Sequence, residues 1–256
     1  MTESSEDVRE RYRTELGVEF GDAFHQLWNE WAWSLMRRNE FRELFSHAED
    51  VSLLNALTGG DFTWDIQQIL WDDLLLRLCR LTDPEQTGRK GNLTVRRLPP
   101  FCEQHDAALR DQVQSLVDAA VAKAEFARDW RNRRISHSDL ATAVGKAEPL
   151  APASLQNVTS ALDAVHAVLN AISIELLEAE IANLVTGKPR ARAFLAYARQ
   201  LADSVKFIDA VVDPNGATRV TDTDVASAFL RRLGLRPNMR NVESVIDLRE
   251  AARRFT

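Results

Sequence analysis

Between Arg128 and Asp139 the chain reads RDWRNRRISHSD, which places four arginines within seven positions and then one of only five histidines. An arginine keeps its charge at every accessible pH and offers a planar fork of donors that matches a phosphate. A histidine exchanges a proton near neutrality. Cleavage of RNA needs those two abilities. One group moves a proton at the 2′-hydroxyl or at the leaving 5′-oxygen, and a cation holds the charge that gathers on phosphorus. The ribose supplies the nucleophile, so neither a metal nor a cofactor is required. Arg131, Asn132 and His137 are the candidate catalytic residues, and Arg128, Arg133 and Arg134 would line the path of the RNA backbone. The other reading of the same stretch is a helix C-terminus whose arginines offset the dipole. For the flanking arginines it is a solvated face.

Geometry sets a condition. Arg131 and His137 are six residues apart, about 240° around an ideal helix, so on an unbroken helix they diverge. They converge where the helix ends or bends near Ile135–Ser136, or where two protomers each supply one of them. Ser136, Ser138 and Asp139 are suitable breakers and caps.

The elements that must position these groups follow from apolar periodicity. Phe20, Phe24, Leu27, Trp28, Trp31 and Leu35 share one face of a helix over about residues 17–37, followed by short helices near 40–45 and 51–57. Gly59-Gly60 breaks the chain, Asp61 can cap the next helix, and Asp83-Pro84 stops it. Residues 83–103 read as a polar connection, long enough to be either functional or mobile. A second long helix is expected from about 103 to the arginine-rich stretch. A third, capped by Ser154, carries Leu155, Val158, Leu162, Val165, Leu169, Ile172 and Leu176 at alternating steps of three and four. A helix near 189–212 precedes the turn Asp213-Pro214-Asn215-Gly216, and two short helices, roughly 223–233 and 241–255, close the chain. The fold class is all-α: an antiparallel bundle of four to five long helices over 15–185, with a small helical C-terminal extension over 186–256.

On the helix before the long connection, Asp73, Arg77 and Arg80 stand at steps of four and three. That spacing suits an ion-pair stripe, or a brace supporting the motif. Asp83 and Asn92 suit capping and turning. Trp28, Trp31 and Trp33, at helical spacing, suit a core or a dimer interface. His25, His47, His105 and His166 are scattered singly, without acidic neighbours at metal-ligand spacing.

Bulk properties exclude other classes. A net charge of −6 means that any RNA contact is a local patch. From Arg219 onward eight Lys/Arg face five Asp/Glu, and a helix-turn-helix role for this basic tail stays open. Two cysteines make neither a disulfide framework nor a zinc set, which points to a reducing, cytoplasmic setting. No signal peptide and no membrane span are expected. Asp213-Pro214-Asn215-Gly216 lacks the later Gly and the closing Glu of a calcium loop.

Arg131-Asn132 followed by His137 resembles the Arg–polar–His signature of HEPN domains. Together with LWDDLLLRLCRLTDP (Leu70–Pro84) and NLTVRRL (Asn92–Leu98), the segment RDWRNRRISHSDL (Arg128–Leu140) resembles the AbiU-type branch, which takes its name from phage abortive infection. The likeness covers about residues 15–180. It implies a bundle that dimerises, with both protomers' motifs lining one cleft, and a metal-independent endoribonuclease that leaves a 2′,3′-cyclic phosphate and serves as a toxin or defence effector. On these positions His137 would transfer the proton, Arg131 would clamp the phosphate, and Asn132 would orient the phosphate or the histidine. RNA, a second copy of the chain and an antitoxin or partner protein are the implied partners. HEPN relatives that have lost catalysis serve as binding modules, and that alternative stands beside the first.

Overall fold

The computed structural model describes residues 4–136, 139–184 and 190–212, and beyond these 223, 226–227, 230–231, 236–243 and 245–246. It is an all-α helical bundle whose only strands, among the described residues, are two residues long. The helices are α1 (Ser5–Leu16), α2 (Val18–Phe45), α3 (Ala48–Thr58), α4 (Gly60–Thr82), α5 (Leu98–Glu103), α6 (Ala107–Lys123), α7 (Glu125–Trp130), α8 (Leu140–Ala143), α9 (Leu155–Leu177) and α10 (Arg190–Val212). Strands β1 (Gln86–Thr87) and β2 (Lys90–Gly91) form an antiparallel hairpin between α4 and α5.

The chain divides into two compact units, Met1–Asn39 with Leu70–Gly187, and Glu40–Ile69 with Lys188–Thr256. In the first, α9 is the core helix. Its stripe of Val158, Leu162, Val165, Leu169 and Ile172 is buried, and it packs against α6, which contributes Leu109, Val113 and Val117. The length and apolarity of α9 would also suit a membrane span, but here that apolar side fills a protein core. Phe20, Phe24, Leu27, Trp31 and Leu35 of α2 are buried, as are Leu74, Leu75, Leu78 and Leu81 of α4. The Trp31 indole Nε1–H donates to the Leu162 carbonyl at 3.1 Å.

Several elements differ from the sequence expectation. Helix α1 precedes the first helix expected. It has few apolar residues, and a local device starts it: Ser4 Oγ accepts from the Asp7 N–H while the Asp7 carboxylate accepts from the Ser4 N–H. Asp22 of α2 fastens α1 by accepting from Arg9 Nε and Arg13 Nε, both at 2.8 Å. Gly21 lets the two helices touch, since a Cβ there would lie 2.6 Å from the Tyr12 carbonyl. Helix α2 runs unbroken through the expected gap near residue 38, where Arg, Asn and Glu do not oppose helix. Asp61 lies inside the first turn of α4 rather than capping it.

The long polar connection is largely structured. After the hairpin comes a 3-10 turn (Val95–Arg97) and then α5, started by Pro99 and Pro100 where a missing N–H costs nothing. Thr94, Val95, Leu98 and Cys102 are buried. The helix expected from 103 begins at Ala107, because the Asp106 side chain caps it through the Ala108 N–H.

In the second unit α10 packs on α3 and buries Ala191, Leu195 and Ala198. Arg190, Arg192 and Arg199 of α10 pair with Glu40, Glu43 and Asp50 respectively. Ala226, Leu230, Val242 and Val245 form a small apolar cluster with Leu201 and Ile246. The turn at 213–216 and most of the two short helices expected at 223–233 and 241–255 lie outside the described residues.

Candidate functional site

A helix leaves its last carbonyls without partners, and the end of α4 answers this with arginines. The Thr82 carbonyl accepts from Arg96 Nε at 3.1 Å and Arg128 Nη1 at 3.3 Å. Arg128 Nη1 also reaches Thr82 Oγ1, and its Nη2 donates to the Val121 carbonyl at 2.7 Å. With its side chain only 15% exposed, Arg128 faces inward. Expected as an RNA contact, it joins the end of α4 to the end of α6. Arg128→Ala is expected to cost about 1.5–3 kcal/mol of stability, the range for hydrogen bonds to a charged group. Arg134→Ala, at an exposed position, should cost less. Thermal or urea unfolding of the two variants checks the contrast.

The motif itself sits where a helix changes winding. Helix α6 stops at Ala124, α7 continues to Trp130, and Arg131–Ile135 form a π-helical turn in which the Ser136 N–H donates to the Arg131 carbonyl at 2.9 Å. Such wide turns recur at functional sites. Arg131 Nη1 donates to Asp83 Oδ2 at 2.5 Å, and its Nε to Asn132 Oδ1 at 3.1 Å. Its Nη2 has no hydrogen-bond partner among the described residues. Asn132 is exposed and meets the guanidinium directly. Asp83 does more than end α4: its N–H donates to the Cys79 carbonyl, its Oδ2 holds Arg131, and its Oδ1 is buried without a hydrogen bond among the described residues. The Asp-Pro pair at 83–84 reads as a helix stop, which hid this second task.

His137, with Ser138, lies outside the described residues. The chain around it is tied to α7 and the π turn. Arg133 donates through Nη1 to Asp129 (3.2 Å), through Nε to Thr142 Oγ1 (3.3 Å) and through Nη2 to the Glu148 carbonyl. The Trp130 Nε1–H donates to the Ala151 carbonyl, and the Ala151 N–H to Asp129 Oδ2, both at 2.8 Å. Asp139 caps α8 by accepting from Thr142 N–H and Oγ1–H, and these bonds hold its carboxyl below the usual carboxylate range. Arg133, expected on the RNA path, holds Thr142 and the Glu148 carbonyl. Arg134 is exposed, with its guanidinium 5.0 Å from the centre of the Trp130 ring.

Asp73, Arg77 and Arg80 belong to an ion-pair ladder between α2 and α4. Asp73 accepts from Arg37 Nε (3.0 Å) and Arg77 Nε (2.9 Å), while Glu30 meets Arg77 (3.2 Å) and Arg80 (3.5 Å). Arg80 stays 58% exposed. Cys79 is buried beside this group. Burial pushes its thiol up to about 11, against the pull of Arg131, Arg128 and Arg80, so it is inert at neutral pH. A cleft of about 370 Å³ opens beside it, lined by Gln26, Leu27, Glu30, Arg80, Asp83, Gly91, Asn92 and Leu93. No three His, Cys, Asp or Glu side chains among the described residues are grouped as metal ligands would be.

Asp72 is a titratable group that sequence reasoning passed over. Burial raises its carboxyl, opposed by the charge of Arg134, and its Oδ1 is buried without a hydrogen bond among the described residues. The folded state therefore disfavours its ionised form at neutral pH. Asp72→Asn should raise the Tm at pH 7, and the gain should shrink as the pH falls through the raised folded value toward about 3.9, the ordinary value for Asp. Thermal unfolding across that range checks the sign.

A family model described as AbiU2, of the HEPN group, matches residues 17–206. The match includes the whole arginine-rich stretch and runs into α10, beyond the residues that carry the likeness in sequence. Neither the curated proteins nor the solved structures offer a match. With three quarters of its length under that one model, the chain belongs to the AbiU2 family of HEPN proteins.

Proposed function

We propose that this protein is a metal-independent endoribonuclease of HEPN type that acts in the cytoplasm as a toxin or phage-defence effector. One observation carries the reading. Arg131 is held on one side by Asp83 and on another by Asn132, while its Nη2 has no partner among the described residues. A guanidinium oriented in this way is a phosphate receptor with one donor pair still open.

The chemistry follows from the residues. The 2′-hydroxyl attacks phosphorus, and its proton passes to a base. The P–O5′ bond breaks, and the departing oxygen takes a proton from an acid. The products are a 2′,3′-cyclic phosphate and a 5′-hydroxyl. His137 moves the proton, and Arg131 stabilises the charge on the non-bridging oxygens. One chain supplies one such histidine. A homodimer, each protomer contributing its motif to a shared cleft, supplies both the acid and the base. Of the flanking arginines, Arg134 is the exposed one and the candidate for the RNA backbone, while Arg128 and Arg133 also hold the fold. A toxin of this kind would be held in check by an antitoxin or other partner protein.

The test is purified protein with RNA in EDTA, beside the same RNA carrying 2′-O-methyl groups. Cleavage of the first only, with cyclic phosphate ends, is the expected result. Cleavage of both, or of neither, would refute the proposal. A non-catalytic binding module would leave both RNAs intact.

A further inference from the structure

We infer that the cleft walled by Asp83, Asn92 and Leu93 is a base-binding subsite, which takes the nucleobase next to the phosphate held by Arg131; the inference rests on the nuclease reading above. The cleft's volume, about 370 Å³, falls at the lower end of small-ligand sites, roughly 300–1,000 Å³. Its position is fixed by a shared residue. Asp83 lines the cleft and also receives Arg131, so an occupant lies one side chain away from the guanidinium.

The lining has the character a base requires: an apolar wall, a fixed polar edge and a nearby cation. Leu27 and Leu93 supply the wall, and Leu93 is 44% exposed on the hairpin's return. Asn92 supplies the edge. Its Nδ2 donates to the Pro84 carbonyl at 2.8 Å and to Thr87 Oγ1 at 2.7 Å. A carbonyl can only accept, so the nitrogen must face it, and Asn92 Oδ1 is left as an oriented acceptor without a donor among the described residues. Its backbone is pinned as well: the Asn92 N–H donates to the Glu85 carbonyl, and its own carbonyl accepts from Arg97 Nε at 2.6 Å. Gly91 makes that pinning possible, since a Cβ there would lie 2.6 Å from Arg97 Nη2. Gln26, across the cleft, is exposed and has no hydrogen bond among the described residues. Arg80, more than half exposed and paired at 3.5 Å with Glu30 of the same lining, is the cation.

A fixed oxygen acceptor selects a base that presents an N–H donor on its edge. Adenine, cytosine and guanine carry exocyclic amino groups. The one N–H on the edge of uracil lies between two carbonyl oxygens that would face Asn92 Oδ1 unfavourably. The subsite therefore prefers an amino-bearing base over uracil, with Gln26 free to satisfy the rest of its edge.

The experiment has two readouts on the wild type, Gln26→Ala and Leu93→Trp, both at positions exposed enough to change without unfolding the chain. One is binding of 3′-AMP, 3′-CMP, 3′-GMP and 3′-UMP by saturation-transfer NMR. The other is the cleavage-site profile on a randomised RNA library. Weaker binding of 3′-UMP than of the others is expected, with a roughly ten-fold loss of affinity in each variant, the scale of one hydrogen bond or its apolar equivalent, and a flattened cleavage profile. Nucleotide binding that the variants abolish, in a protein that cuts no RNA, keeps the subsite and removes the nuclease reading. Cleavage with binding and profile unchanged in both variants removes the subsite and keeps the nuclease. Loss of neither binding nor profile in Gln26→Ala alone, with both lost in Leu93→Trp, overturns the role of the amide and retains the cleft. Absence of binding and of cleavage in the wild type overturns both.

Discussion

Exchange of His137 for alanine is expected to slow RNA cleavage by about 10²–10⁴-fold, the usual worth of a positioned acid or base. Arg131→Ala is expected to lose about 10²–10³-fold, as removal of one charge-stabilising donor does. The two losses have different characters. A histidine that transfers protons gives the wild type a pH–rate profile with a limb near neutrality, and that limb disappears in His137→Ala. Arg131→Ala should keep the limb and lose rate at every pH. Arg131→Lys should recover little, because a single ammonium nitrogen lacks the planar fork whose separate nitrogens meet Asn132 and Asp83. Single-turnover cleavage of one labelled RNA in EDTA, across the pH range, measures all of this. Equal rates for wild type and His137→Ala would remove the histidine from the mechanism.

The largest effect on stability is expected at Trp31. Its ring is 2% exposed, packs 5.1 Å from the His166 ring centre, and donates to the Leu162 carbonyl at 3.1 Å. Trp31→Ala removes the largest fully buried side chain in the described core and should cost about 3–5 kcal/mol, the range for aromatic-to-alanine changes. Against a typical total of about 5–15 kcal/mol, that loss is a large share of the stability. Trp31→Phe keeps much of the filling and gives up the hydrogen bond, so it should cost less than Trp31→Ala. Urea titration at one temperature ranks the three proteins. A Trp31→Ala protein within about 1 kcal/mol of wild type would mean that α2 does not lock onto α9 through this ring, since core truncations of this size rarely cost so little.

The α9 seam was legible in the sequence because its burial follows helical period alone: Val158, Leu162, Val165, Leu169 and Ile172 are buried where that period puts them. Helix α1 was not, because Tyr12 and Leu16 are its only buried residues and its start is a capping contact between Ser4 and Asp7. An end or bend near Ile135–Ser136 was one of two ways the sequence allowed Arg131 and His137 to converge, and the described helix does end there, but its π winding left no mark in residue type. The cluster of arginines was plain in the sequence. What each one meets was not, since the Thr82 carbonyl, Asp83 and the Glu148 carbonyl arrive from distant parts of the chain. The same holds for the grouping of residues 40–69 with those from 188 onward; the sequence reading draws its only boundary at 185/186.

The inward turn of Arg128 and the grip of Arg133 on Glu148 bear on how a growth-rescue screen of the proposed toxin should be scored. Survivors carrying changes at either position would look like losses of chemistry while being losses of protein. Only a parallel count of how much folded material each cell holds would separate them from survivors altered at Arg131. Without that count, positions that hold the fold would be scored together with Arg131.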